Sequence, residues 1–114
     1  MKYKTAELEG DALDYLVRCI VRGEQPLVSP AVFAAENDEG FSPSTRWDQG
    51  GPIIERELIG LEADDSPVRW YAELVHAARD DGVQRSSATG PTTLIATMRA
   101  FVTAKYGPEI ELPD

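Results

Sequence analysis

Apolar residues recur at helical spacing in two places along the chain. Leu13, Leu16, Val17 and Ile20 stand at i, i+3, i+4 and i+7 with Ala12 and Val21 on their flanks, which predicts a helix over residues 9–22 with one apolar stripe. Asp11 and Asp14 near its start and Arg18 and Arg22 near its end suit the helix dipole, and Gly23 is the expected stop. Leu94, Ile95, Met98, Phe101 and Val102 make a second stripe and predict a helix over 91–106. It opens on Pro91, where a missing N–H costs nothing, and closes on Gly107-Pro108.

Between these stripes the pattern turns to alternation. Residues 53–61 place Ile54, Arg56, Leu58 and Gly60 on one face and Ile53, Glu55, Glu57, Ile59 and Leu61 on the other. Residues 68–74 place Val68, Trp70, Ala72 and Leu74 together. With Glu62-Ala63-Asp64-Asp65-Ser66-Pro67 as the turn, the two runs are expected to form an antiparallel hairpin. Ile54, Leu58 and Leu61 also fit a helical period, but Gly60 sits badly in a helix, so the strand is preferred. Residues 2–5 and 109–112 read as short strands. Residues 24–41 read as a loop with one apolar anchor, Ala31-Val32-Phe33-Ala34-Ala35, that can make a single helical turn. Residues 76–89 have no periodicity and read as an exposed loop. The expected fold class is α+β: one domain over 1–114, a small mainly antiparallel sheet with two helices packed on one face.

Composition narrows the function. Hydrophobic content of 42% supports a core, and 20 acidic against 11 scattered basic residues give a charge of −9. That balance repels phosphate backbones and anionic lipid surfaces, so no duplex DNA and no membrane partner is expected. Cys19 is the sole cysteine, no apolar leader opens the chain, and no run approaches the roughly 18 apolar residues of a membrane span. A cytoplasmic protein is expected.

The chemistry available for catalysis is thin. One histidine, His76, and one cysteine supply neither a zinc set nor an oriented nucleophile–base pair. Asp64-Asp65 and Asp80-Asp81 lack the spaced ligands of a calcium loop and read as solvated turns. Glu55 and Glu57 share a face, where Arg56 makes surface ion pairs the simpler reading. No metal and no cofactor is expected. The densest constellation is residues 42–55, Ser-Pro-Ser-Thr-Arg-Trp-Asp-Gln-Gly-Gly-Pro-Ile-Ile-Glu, whose prolines and glycines direct the backbone along a set path. Such a loop leaves backbone groups in need of partners, and the second helix's N-terminus leaves donors in need of acceptors such as Asp48. Ser44, Thr45, Trp47, Asp48, Gln49 and Glu55 are therefore expected to share one concavity with Thr92, Thr93 and Arg99 and to form the binding site. In the structural alternative Asp48 only caps that helix and Trp47 plugs the core. The favoured function is a non-catalytic binding or accessory protein that recognises a macromolecule through residues 42–55. The alternative is a small enzyme, or a sensor of a small polar or anionic ligand, using the same segment with the Thr92 helix end.

Three stretches carry a family likeness. Lys4-Thr5-Ala6-Glu7-Leu8-x-Gly10-x-x-Leu13-Asp14, then Ser42-Pro43-Ser44-Thr45-x-Trp47-x-Gln49-Gly50-Gly51-Pro52-Ile53-Ile54-Glu55-Arg56-Glu57, then Gly90-Pro91-Thr92-x-Leu94-Ile95-Ala96-x-Met98-Arg99 resemble the NinX-like family of phage and prophage proteins. Thr93 stands where the family pattern has proline. The resemblance implies a phage or bacterial origin and a cytoplasmic place of action, and brings no mechanism with it.

Overall fold

The leucine stripe of the first helix lies at the centre of the core. In the computed structural model, which describes residues 1–64, 69–77 and 83–113, strand β1 (Lys2–Lys4) and a 3-10 turn (Thr5–Glu7) lead into helix α1 (Gly10–Arg22). Leu13, Leu16 and Val17 are fully buried there. The helix ends at Gly23, whose left-handed φ of 68° lets its N–H return to the last turn. The apolar anchor of the following loop is a helix of its own, α2 (Pro30–Glu36), capped by Ser29, whose Oγ accepts from the Val32 N–H at 3.3 Å. Its Phe33 packs on Tyr15 of α1 with ring centroids 5.3 Å apart.

Residues 47–57 correct the strand expected from alternation: they form helix α3 (Trp47–Glu57). Gly60 does not exclude the helix, because the helix stops before it. Leu58 takes a left-handed φ of 55° as C-cap, and strand β2 (Gly60–Ala63) starts two residues on. Gly50, Gly51 and Pro52 are poor helix formers, so packing has overruled propensity here. The backbone at Gly50 lies against the Pro43 carbonyl and the Leu94 side chain, an approach that any Cβ would block. Ile53 is buried one turn further on.

Strand β3 (Trp70–Ala77) pairs antiparallel with β2 and with β4 (Val83–Gly90), giving the order β2-β3-β4. β4 corrects the loop expected over 76–89; residues 78–82 of that loop, like Asp65-Ser66-Pro67 and Val68 of the expected turn and strand, lie outside the described residues. The inward positions of β4 explain the miss. Ser86, Ala88 and Gly90 stand opposite Leu74, Ala72 and Trp70, and they are small because helix α4 (Thr93–Tyr106) lies close across them. A strand whose buried face is Ser, Ala and Gly shows no apolar alternation. Strand β5 (Glu109–Glu111) pairs with β1 in a second, two-stranded sheet, so the fold is α+β. α4 packs on β3 and β4 and also against α1, and its Met98, Ala100 and Val102 are fully buried. Among the described residues no helix is long and apolar enough to cross a membrane.

Candidate functional site

Most polar groups of residues 42–49 are engaged by the segment itself or by α1. The N–H groups of Thr45 and Arg46 return to the Ser42 carbonyl, forming the turn that launches α3. Gln49 accepts from the Ser42 N–H through Oε1 and donates to the Gly40 carbonyl through Nε2, which ties the loop to the helix. The Ser44 N–H donates to Asp14 Oδ1 at 2.9 Å, and both residues are buried. Burial pushes the Asp14 carboxyl above the usual carboxylate range; the Ser44 N–H and the nearby Ser44 hydroxyl, which falls short of full hydrogen-bond geometry, pull it part of the way back. Arg46 grips Asp48 with two contacts, Nε to Oδ1 at 3.2 Å and Nη2 to Oδ2 at 2.9 Å. Thr45 and Glu55 are exposed, and Trp47 is 56% exposed, an aromatic standing out of the first turn of α3 and not a core plug.

The expected meeting with the second helix is met at its apolar edge, where Gly50 seats on Leu94. The polar groups do not meet. Thr92 caps α4 itself, its Oγ1 accepting from the Ile95 N–H at 3.1 Å, so Asp48 is not the cap. Thr93 is half-buried, and its carbonyl accepts from the Thr97 hydroxyl at 2.9 Å. Arg99 donates from Nε to the Leu8 carbonyl at 2.7 Å and from Nη1 to the Thr89 carbonyl at 2.9 Å. It thereby clips the chain between the 3-10 turn and α1 to the end of β4, three residues before the α4 cap.

The family model described as Bacteriophage P22, NinX matches residues 4–105 of the chain. The protein belongs to that NinX family. No curated protein matches it significantly.

In this NinX-family chain, two of the three stretches that carry the likeness meet at a cleft of about 450 Å³. Glu7 comes from the first stretch, Pro91 and Arg99 from the third, and Glu9, Arg69 and Thr89 complete the polar lining. Burial lowers the Arg99 pKa, and the carboxylates of Glu9 and Glu7 oppose that shift. Glu7, Glu9 and Arg69 were absent from the expected site, since each is an isolated charge in its own stretch and nothing local marks it. The middle stretch instead presents the outer surface of α3. There Trp47 stands out of the first turn and Leu58, the left-handed cap after the last turn, is 84% exposed, while Ile54 between them is half-buried and packs against the core.

Proposed function

We propose that this NinX-family protein is a non-catalytic binding protein that docks a phage or host protein in the bacterial cytoplasm through the outer surface of α3. The observation that carries the reading is Leu58. It is the only non-glycine residue with positive φ among the described residues, and its side chain is the most exposed of the large apolar ones described. A left-handed leucine costs about 1–2 kcal/mol relative to a relaxed backbone, and nothing within the fold needs that side chain. Trp47, exposed at the other end of α3 and ~16 Å away by the helical rise per residue, is of a residue type enriched among interface anchors. Arg46, Asp48, Glu55 and Arg56, all exposed, put mixed charge at the two ends of α3, as a polar rim does. The polar side chains at 42–49 serve the loop itself, which disfavours the enzymatic alternative at this segment. The net charge of −9 supports a protein partner over duplex DNA.

The test places a photoreactive amino acid at position 47 and, as control, at position 27, where Leu27 is 77% exposed far along the chain from α3. Irradiated cells that carry the phage should give one adduct of defined mass from position 47 and none from position 27. Leu58→Gly should leave the fold intact or stabilise it by about 1 kcal/mol while weakening that adduct. Adducts from neither position, or the same adducts from both, would refute the proposal.

A further inference from the structure

We infer that the cleft between the 3-10 turn, the start of β3 and the start of α4 binds a phosphomonoester on a hydroxyl-bearing sugar. The argument begins at Arg99. Its guanidinium carries five N–H groups, of which one on Nε and one on Nη1 donate to the Leu8 and Thr89 carbonyls. Those two bonds fix the plane of the group and leave the Nη2 edge without a protein acceptor among the described residues. Neither Arg99 nor Arg69, the second cation of the cleft, lies within ion-pair distance of a carboxylate among the described residues. Two guanidiniums beside one cavity, one of them oriented in advance, form the donor fork that phosphate oxygens match.

Glu7 and Glu9 line the same space; they favour the Arg99 charge from beyond ion-pair distance. A bare anion would meet them as repulsion. A ligand with an anionic group at one end and hydroxyl donors at the other uses both signs of charge, the phosphate on Arg69 and Arg99 and the hydroxyls on Glu7 and Glu9. The volume of about 450 Å³ holds a sugar phosphate, and it lies in the lower part of the ~300–1,000 Å³ range of small-molecule sites. Among the described residues no aromatic ring lines the cleft, so none of them stacks a base there. This inference stands apart from the α3 surface, since the cleft shares no residue with it.

Calorimetric titration at low ionic strength tests it, with ribose 5-phosphate, inorganic phosphate, ribose and a nucleoside 5′-monophosphate as probes. Ribose 5-phosphate should bind at about millimolar concentration or below, inorganic phosphate more weakly, and ribose without detectable heat. Arg69→Ala removes an exposed side chain that makes no bond to the other described residues. It should keep the wild-type melting temperature and lose about tenfold or more in affinity for both phosphates. Glu7→Gln should weaken ribose 5-phosphate and leave inorganic phosphate unchanged or tighter. Equal binding of sugar phosphate and nucleotide identifies the sugar phosphate as the recognised unit; tighter nucleotide binding identifies the nucleotide as its source. No binding of ribose 5-phosphate, or binding that Arg69→Ala leaves unchanged, overturns the inference. Because Arg99 also clips the fold together, the deciding variants are those at Arg69 and Glu7.

Discussion

Gly50 and Gly51 are neighbours in one helix, yet alanine should act on them in opposite directions. Helix propensity alone favours alanine at both by about 1 kcal/mol. At Gly51 the new Cβ would lie 3.7 Å from Trp47 Cε3, an ordinary contact, so Gly51→Ala should gain most of that amount. At Gly50 the Cβ would overlap the Pro43 carbonyl oxygen and come within 2.7 Å of Leu94 Cδ2. The leucine can turn away, but the carbonyl belongs to a backbone pinned by the buried Ser44–Asp14 hydrogen bond next to it. Overpacking costs about 1–3 kcal/mol, and against a backbone that cannot yield, the upper part of that range, about 2–3 kcal/mol, applies, so Gly50→Ala should lose about 1–2 kcal/mol net. The two variants then differ by about 2–3 kcal/mol, which at a urea m-value near 2 kcal/mol/M separates their midpoints by about 1 M or more. Urea unfolding followed by circular dichroism reads this directly. Midpoints that move the same way would mean that α3 is not seated on Pro43 and Leu94, and the account of why this glycine-rich stretch is helical would fail.

Asp14→Ala should cost about 1–3 kcal/mol, because the buried Ser44 N–H loses its acceptor. Asp14→Asn keeps an acceptor oxygen and drops the charge. The folded Asp14 carboxyl lies above its ordinary value of 3.8, so the folded state holds the proton more tightly than the unfolded chain does, and ionisation from pH 3.8 upward costs stability. At neutral pH the asparagine variant should therefore match or exceed wild type, with the advantage shrinking as pH falls toward 3.8; an advantage that grows on acidification refutes the assignment. Leu16→Ala and Met98→Ala empty fully buried positions and should each cost about 2–5 kcal/mol by chemical unfolding, while a loss below about 0.5 kcal/mol would place their helical faces wrongly.

The elements legible in the sequence share one property: their buried face is built from large apolar side chains. Leu13, Leu16 and Val17 in α1, and Leu94, Met98, Phe101 and Val102 in α4, advertise a helical period because each sits deep in the core. β4 hides, since the surface it offers α4 is Ser86, Ala88 and Gly90, and close approach there requires small residues. α3 misleads for a related reason. Its helix is secured by a glycine pressed on Leu94 and by the buried Ile53, so the residues that make it helical in the fold are those that argue against a helix in isolation.

The candidate sites divide along the same line. The crowd of polar groups at 42–49 reads as a binding surface, but a loop forced through a tight path must satisfy its own backbone: Gln49 and Asp14 accept from the Ser42 and Ser44 N–H groups, and Arg46 pairs with Asp48. What that segment has left for a partner is its apolar remainder, Trp47 and Leu58, which the conspicuous polarity of the sequence around them conceals. The cleft runs the other way. Glu7, Arg69 and Arg99 are single charges in separate stretches; the clip from Arg99 to Leu8 and Thr89 and the pairing of β3 with β4 carry them to one cavity. A charge left without a counter-charge is costly to bury, so the fold tolerates Arg99 at that depth because its backbone contacts and the Glu7 and Glu9 carboxylates offset part of that cost. The remaining donors make the cleft a receptive place for phosphate, which sets its chemistry apart from the apolar surface of α3.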